Sequence, residues 1–418
     1  MSFRAFLDEL EECGELIEID EPVSPELEAC RIARKTDSPI LFKDLSGKRA
    51  CVNLIGSRNI LSKVLGVKKE HIAAHLVDLP SESEVRVVDD SPTREVVEDA
   101  DLTTLPIMKF FEADGGAYIT SGIVVAEFDG IVNASFHRLM VIGKNKLAAR
   151  LVPPRHTYLL HKKAREQGVG LKVGIAIGVD PVILFAAGTR VEPGFEFKYA
   201  SMLRNAPVEL FRLDNGIAVP HAEIVLEGEI DPEERANEGP FVDITGTYDE
   251  VRSEPVIKLT QIYHRKDPIY HSIIPGGREH QLLMGTPYEP LILKAVRHVA
   301  DAKNAVMTAG GCTYFHAAVS IRKVREGDGK NAIVAALAAA PGVKQVVVVD
   351  EDIDLFNPND LEYALATRVR WDKDLVVIPG ARGSSLDPSA ADDGTSTKVG
   401  IDATMPLERR EAFERVTA

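Results

Sequence analysis

Between about residues 110 and 275 the sequence runs strand after strand with short turns between, and this succession limits the possible folds more than any other feature. AYITSGIVVAEF, GIVNASFHRLMVIG and LAARLVP carry strand patterning and are separated by turns such as FDG and GKN. VGIAIGV, VELFRLD, HAEIVLEGEI and VIKLTQIYHR continue the series. Many strands with short connections predict a barrel or a sandwich. The helical segment RHTYLLHKKAREQG lies among them and argues against a plain antiparallel sandwich.

Both flanks have a different rhythm. At the start, FRAFLDELEECG predicts a short amphipathic helix ended by Gly14, and SPELEACRIARKT predicts a helix capped by Ser24 with Pro25 in its first turn. ELIEID, PILFKD and RACVNLIG read as strands. From about residue 285 helices and strands alternate: EPLILKAVRHVADA, YFHAAVSIRKV, KNAIVAALAAA, KQVVVVDED, NDLEYALATRV and DLVVIPG. That alternation predicts a parallel or mixed sheet, with VVVV as a buried central strand. GARGSSLDPSAADDGTSTKVG reads as a loop. The expected organisation is an α/β segment over 1–100, a strand-rich domain over 101–285, and a second α/β domain with a tail over 286–418.

Charge narrows the function. With 64 acidic and 49 basic residues, the 418-residue chain carries a net charge of −15. That excludes an extended nucleic-acid footprint, which needs basic surface. A small anion remains compatible if local arginines or a metal overcome the global field. No apolar run is long enough to span a membrane, and the acidic amphipathic start lacks the pattern of a secretory signal, so a cytoplasmic protein is expected. Cys13, Cys30, Cys51 and Cys312 show no metal-binding spacing and are expected as reduced thiols.

Three stretches could carry chemistry. NASFHRLMVIGKNKLAARLVPPRHTYL places Asn133, His137, Arg138, Arg150, Arg155 and His156 close together. On a strand, Asn133, Ser135 and His137 share one face while Phe136 and Arg138 share the other. A ligand would satisfy these polar groups, although an edge strand with a solvated face reads equally well. In FEFKYASMLRN, Glu196 sits between two phenylalanines and needs a partner if buried; otherwise it is an exposed helical acid. In NEGPFVDITG, Glu238 and Asp243 flank a Gly-Pro turn and could divide into an acid and a base, or be solvated turn acids.

The order of these stretches, followed by AEIVLEG, EGPFVDITG, DEDIDLFNPNDLEYALATR and KVGIDAT, resembles the UbiD family of reversible decarboxylases over about residues 20–405. The resemblance implies a central split β-barrel like that of flavin reductases, flanked by α/β segments, with the C-terminal domain serving homodimers or larger homo-oligomers. It implies prenylated FMN as cofactor, supplied by a flavin prenyltransferase. Asn133, His156 and Glu196 would hold Mn²⁺ or Mg²⁺ against the flavin phosphate, and those donors suit such ions. Ser135, Phe136, His137 and Arg138 would contact the flavin, as would Arg150, Leu151 and Val152, with Arg155 preceding the ligand histidine. The family also binds K⁺ near the phosphate, for which FAAGT before Glu196 is the expected place.

The catalytic trio implied is Arg138, Glu238 and Asp243. Arg138 would hold the substrate carboxylate in a charge-assisted fork, Glu238 would keep Arg138 in place, and Asp243 would protonate the carbon after CO₂ leaves. The flavin would accept the electrons left on an sp² carbon. The compact length and charged composition resemble the archaeal branch acting on trans-anhydromevalonate 5-phosphate; an aromatic acid of the 4-hydroxybenzoate type is the alternative substrate. A metal-dependent hydrolase and a flavin-binding protein without turnover are the alternative functions.

Overall fold

The computed structural model describes residues 2–413 and 415–416. Two compact units form: Met1–Leu65 with Pro80–Leu283, and Gly66–Leu79 with Met284–Ala418. This division cuts across the three expected parts. Most of the N-terminal segment belongs with the strand-rich region, and Ile269–Ser272 pairs in parallel with Lys48–Val52 of that segment.

The first unit is built on a mixed α/β plan around a nine-stranded sheet. Its strands, numbered in chain order, are β1 (Val96–Asp99), β2 (Tyr118–Ile119), β3 (Ile123–Phe128), β4 (Ile131–Phe136), β5 (Leu139–Gly143), β6 (Lys146–Ala149), β7 (Leu171–Val179), β8 (Ala222–Glu238) and β9 (Arg252–His264). The path runs β2-β5-β6-β9-β8-β7-β3-β4, with β1 added to β9, and among the described residues it does not close into a barrel. All pairings in it are antiparallel. The long strands β8 and β9 pair throughout but jump register between Ile230 and Arg235, after which Glu238 stands opposite Arg252. Such an irregularity bends the strand and re-aims the side chains beyond it. Among the helices of this unit, α1 (His156–Glu166), α2 (Pro181–Gly188) and α3 (Glu196–Arg204) lie between strands of the sheet in the chain. Helix α2 starts where the Asp180 carboxylate accepts the Val182 N–H at 2.9 Å and Pro181 takes the first turn.

One expected helix is shorter than its pattern. Only Glu28–Ala33 is helical, because Leu27 adopts φ 64° and interrupts the run. Ser24 caps a turn instead, accepting the Glu26 N–H at 3.1 Å.

In the second unit, five strands stand in the order Asp301–Met307, His316–Arg322, Gln345–Asp350, Thr395–Ala403, Leu375–Arg382. The valine run is central, as its composition predicts. Val346 and Val348 enter one core with Ile333 and Ala336, while Val347 and Val349 enter another with Ile353 and Leu361. A period of two thus serves both faces of one strand. The expected loop narrows to 383–394, where Asp387 pairs with Lys344 at 2.9 Å. Among the described residues no helix is long and apolar enough to cross a membrane.

Candidate active site

Strand β4 and the two residues that follow it carry two polar clusters on opposite sides. Asn133, Ser135 and His137 point one way, toward the first turn of α1. Arg138 points the other way, toward the end of β8.

On the first face the hydrogen bonds can be assigned by counting donors. His137 Nδ1 lies 2.9 Å from the carbonyl oxygen of Arg150, which can only accept, so Nδ1 carries the proton. Nε2 is then an acceptor, with Thr157 Oγ1 at 2.9 Å and Ser135 Oγ at 3.1 Å. Burial pushes the His137 imidazolium down to about 4, which agrees with a neutral ring. The two hydroxyls lie 3.2 Å apart, so one donates to His137 and the other to its fellow. Both then receive the Asn133 amide N–H groups, each at 2.9 Å. The Asn133 oxygen is consequently turned outward, where it lies 3.2 Å from His156 Nδ1. His137 is therefore an anchor of this network, and Thr157, which its bland sequence context did not single out, is its hub.

Glu196 opens helix α3 and is only 5% exposed. Burial pushes its carboxyl up to about 7, opposed by the nearby backbone amides of Glu196, Ala134 and Gly194. Ala134 is the neighbour of Asn133 on β4, so acid and amide belong to one locality. Glu196 Oε2 is buried without a hydrogen-bond partner. His156 is also held below its ordinary value, first by burial and then by Arg190, which favours the neutral ring that binds cations. Among the described residues no three His, Cys, Asp or Glu side chains form a metal cluster. Three donors are reached here only through the Asn133 oxygen. An orphaned carboxylate oxygen, an outward amide oxygen and a neutral imidazole fit a hard divalent cation, which would replace the proton between His156 and Asn133.

The remaining residues of this neighbourhood divide. Arg155 is exposed at the start of α1, and Phe136 and Val152 are half-buried. Leu151 is buried, and its N–H meets Glu254 at 3.3 Å. The Arg150 side chain also turns to Glu254, at 2.7 Å. Arg150 and Leu151 border a cavity of about 440 Å³ together with Tyr158, His161 and Arg235.

On the second face Arg138, Glu238 and Asp243 come together. Glu238 is fully buried and takes the Nε and Nη2 edge of Arg138 in a fork, both bonds 2.9 Å. Asp243 Oδ2 accepts from Nη1 at 3.3 Å. A third acid, Asp249, stands 2.9 Å from Nη2 and also pairs with Arg252 at 2.6 Å. Burial works against the Arg138 charge, but the Glu238 hydrogen bonds, then Asp249 and Asp243, more than offset it and its pKa is raised. The Phe241 ring lies 4.9 Å from the guanidinium carbon. Tyr118 donates to Glu238 Oε1 at 3.1 Å and receives the Gly239 N–H at 3.1 Å. Gly239 at φ 102° and the cis Gly239–Pro240 bond turn the chain back from β8. Beyond that turn Phe241–Val242 pairs with Tyr248–Asp249, which sets Asp249 opposite Phe241. His280 also faces Asp243; burial lowers its pKa while the Asp243 charge opposes the shift. Asp249 was not legible as a site residue because TYDE reads as an ordinary turn; its one signal is the strand-turn-strand spacing of FVDITGTYD.

Comparison with known proteins agrees with this geometry. Residues 7–79, 86–278 and 281–403 match the N-terminal, Rift-related and C-terminal domains of 3-octaprenyl-4-hydroxybenzoate carboxy-lyase, UbiD. The chain is 60% identical over 416 residues to the anhydromevalonate phosphate decarboxylase of Methanosarcina mazei, covering 99% of each chain. The UbiD-class enzyme HmfF of Pelotomaculum thermopropionicum, solved with FMN, is 37% identical with a TM-score of 0.96, covering 100% of this chain and 97% of that one. An evolved dimeric form of HmfF, solved with prFMN, is 35% identical with a TM-score of 0.92 at the same coverage. The chain is a carboxy-lyase and belongs to the UbiD family.

Proposed function

We propose that the protein removes CO₂ from trans-anhydromevalonate 5-phosphate, using prenylated FMN held through a divalent metal. The observation that carries this reading is the Arg138 guanidinium, clamped by a buried carboxylate and faced by a second one, just past the strand that presents the Asn133 oxygen. The likeness to the Methanosarcina mazei anhydromevalonate phosphate decarboxylase supports the substrate, and the FMN-bound and prFMN-bound neighbours support the cofactor.

When bound, prenylated FMN supplies a sink for the electron pair left on the sp² carbon as the bond to CO₂ breaks. Asn133, His156 and Glu196 would hold Mn²⁺ or Mg²⁺, whose charge offsets the cofactor phosphate in this acidic chain. Arg138 receives the substrate carboxylate, but in a way that corrects the sequence expectation. Its Nε and Nη2 fork belongs to Glu238 and Asp249 also stands at Nη2, so the substrate is left the Nη1 end, where Asp243 now sits. The incoming carboxylate takes over that end from Asp243. Asp243, so released, takes up a proton from solvent and delivers it to the carbon that has lost CO₂. Glu238 holds Arg138 still through the exchange, and Phe241 keeps one side of the guanidinium dry.

We read the open nine-stranded sheet as the split barrel of a flavin-binding domain and keep the three-part division of the chain. K⁺ is placed beside the FAAGT segment, and the flavin prenyltransferase is the supplier of the cofactor. The C-terminal unit serves self-association in the cytoplasm, supported by the dimeric neighbour.

The test is a decarboxylation assay on protein produced with and without a flavin prenyltransferase, with trans-anhydromevalonate 5-phosphate and 4-hydroxybenzoate offered in parallel. Turnover of the former only by coloured, prenyl-flavin-loaded protein is expected. Full activity in colourless protein would overturn the reading, and turnover of 4-hydroxybenzoate alone would reassign the substrate.

A further inference from the structure

Charge around Arg138 does not balance. Glu238, Asp243 and Asp249 bring three carboxylates, while Arg138 and Arg252 bring two guanidinium groups. His280, the other titratable group facing Asp243, is pushed toward its neutral form by burial, with Glu279 behind it. Its Nδ1 accepts the Gly276 N–H at 3.1 Å. The cluster thus carries excess negative charge before an anionic substrate arrives, and one acid must give way or be neutral when it does.

The two aspartates are not equivalent. Asp249 Oδ2 is shared by two guanidinium groups, at 2.9 Å from Arg138 and 2.6 Å from Arg252. Its Oδ1 accepts the Glu250 N–H at 2.9 Å, and these interactions overcome burial to hold its pKa below the ordinary value. Glu250 lies at the outer side of Arg252, 3.7 Å from Nη2. Asp243 has one guanidinium contact, the longest of those to Arg138 at 3.3 Å, and a hydrogen bond from the Ile244 N–H at 2.7 Å. Asp249 is therefore the fixed acid and Asp243 the one that can exchange.

We propose that Asp249 is a positioning residue: it engages the Nη2 side of Arg138, so that Asp243 is held loosely enough to yield its place to the substrate carboxylate and to carry the proton. Without Asp249, Arg138 would draw Asp243 in as its second counter-ion, and the anionic form of Asp243 would be favoured. The substrate carboxylate would have to displace a more tightly held Asp243 and would bind less well, while proton delivery would slow. The inference rests on the assignment of Asp243 as the acid.

The experiment uses holoenzyme and follows kcat and KM against pH for Asp249→Asn, Asp249→Glu and Arg252→Gln. Asp249→Asn should raise KM and lower kcat by roughly 10-fold, with the alkaline limb of kcat moved to lower pH. Asp249→Glu should return the limb toward its original place. Arg252→Gln removes a positive charge from the cluster and should move the limb the opposite way, which keeps the test open if Asp249→Asn folds poorly. An unmoved limb in Asp249→Asn, a lowered KM in that variant, or shifts of one sign in Asp249→Asn and Arg252→Gln would each overturn the proposal. Asp243→Asn separates the two levels of argument. If that variant keeps a normal alkaline limb and turnover, the acid assignment itself is wrong; if it does not, failure in the other variants counts against Asp249 alone.

Discussion

The two sides of strand β4 and the two residues that follow it solve the same problem, buried polarity, in opposite ways. Around Asn133 the groups are pushed toward neutrality. His137 and His156 are held below their ordinary values, Glu196 is raised to about 7, and one Glu196 oxygen has no partner. Around Arg138 the groups satisfy one another through the Glu238 fork and the two aspartates. The first cluster leaves a buried carboxylate oxygen without a partner; the second pairs every one of its acids. Burial with an orphaned atom marks a place built for a resident ligand, whereas burial with excess pairing marks a place built for exchange.

The contrast breaks most visibly at Glu238. Glu238→Ala would leave Arg138 buried without its fork and should reduce turnover by roughly 10³-fold or more, with about 3 kcal/mol lost from unfolding stability. Steady-state rates and denaturant titration of the same preparation check both. A variant that loses only stability would reduce Glu238 to a packing role.

Next comes the acid. Asp243→Asn keeps the shape and should lower decarboxylation by roughly 10²-fold while the flavin spectrum is retained. Exchange of the substrate C–H proton with solvent should fall in parallel, measured by NMR in deuterated buffer. Near-normal turnover would pass the acid role to Glu238.

The metal face gives a pH signature in chelator-treated protein. Burial raises the Glu196 carboxyl from 4.5 to about 7. A folded value above the unfolded one means that the folded state binds more protons, so this contribution is complete below pH 4.5 and is lost as pH rises to about 7. The loss should amount to about 3 kcal/mol at most. Denaturant midpoints across that range should fall with pH, become flat in Glu196→Gln, and be restored at pH 7 by added Mn²⁺. A wild-type profile already flat without metal would contradict the orphaned-carboxylate picture.

The smallest effect is expected at the hub of the relay. Thr157→Val removes the hydroxyl between His137 and Asn133, frees the amide to turn, and should weaken Mn²⁺ affinity by roughly 10-fold with little change in fold stability. Isothermal titration of the cofactor-free protein measures it. Unchanged affinity would mean that the Asn133 orientation is set elsewhere.

Much of this was legible in the sequence, for physical reasons that also mark where legibility ends. Strand period alone put Asn133, Ser135 and His137 on one face and Arg138 on the other. The alternating use of Val346–Val349 by two cores follows from apolar composition and length. The contacts that escaped depend on register between distant segments. Glu254 claims Arg150 across 104 positions, and Asp249 reaches Arg138 only because Phe241–Val242 folds back on Tyr248–Asp249. The Ser24 helix failed locally, since nothing in SPEL announces a left-handed Leu27.

The register jump between Ile230 and Arg235 has a consequence beyond bending a strand. Successive strand residues face opposite sides, so the number of residues spent in the jump decides whether Glu238 or its neighbour Asn237 meets Arg138. Removing one residue from 231–234 would change no side chain of the catalytic trio and yet turn Glu238 away. Here the active site is recorded as a length, a count along the chain, and an odd change in that count would undo it without touching one of its letters.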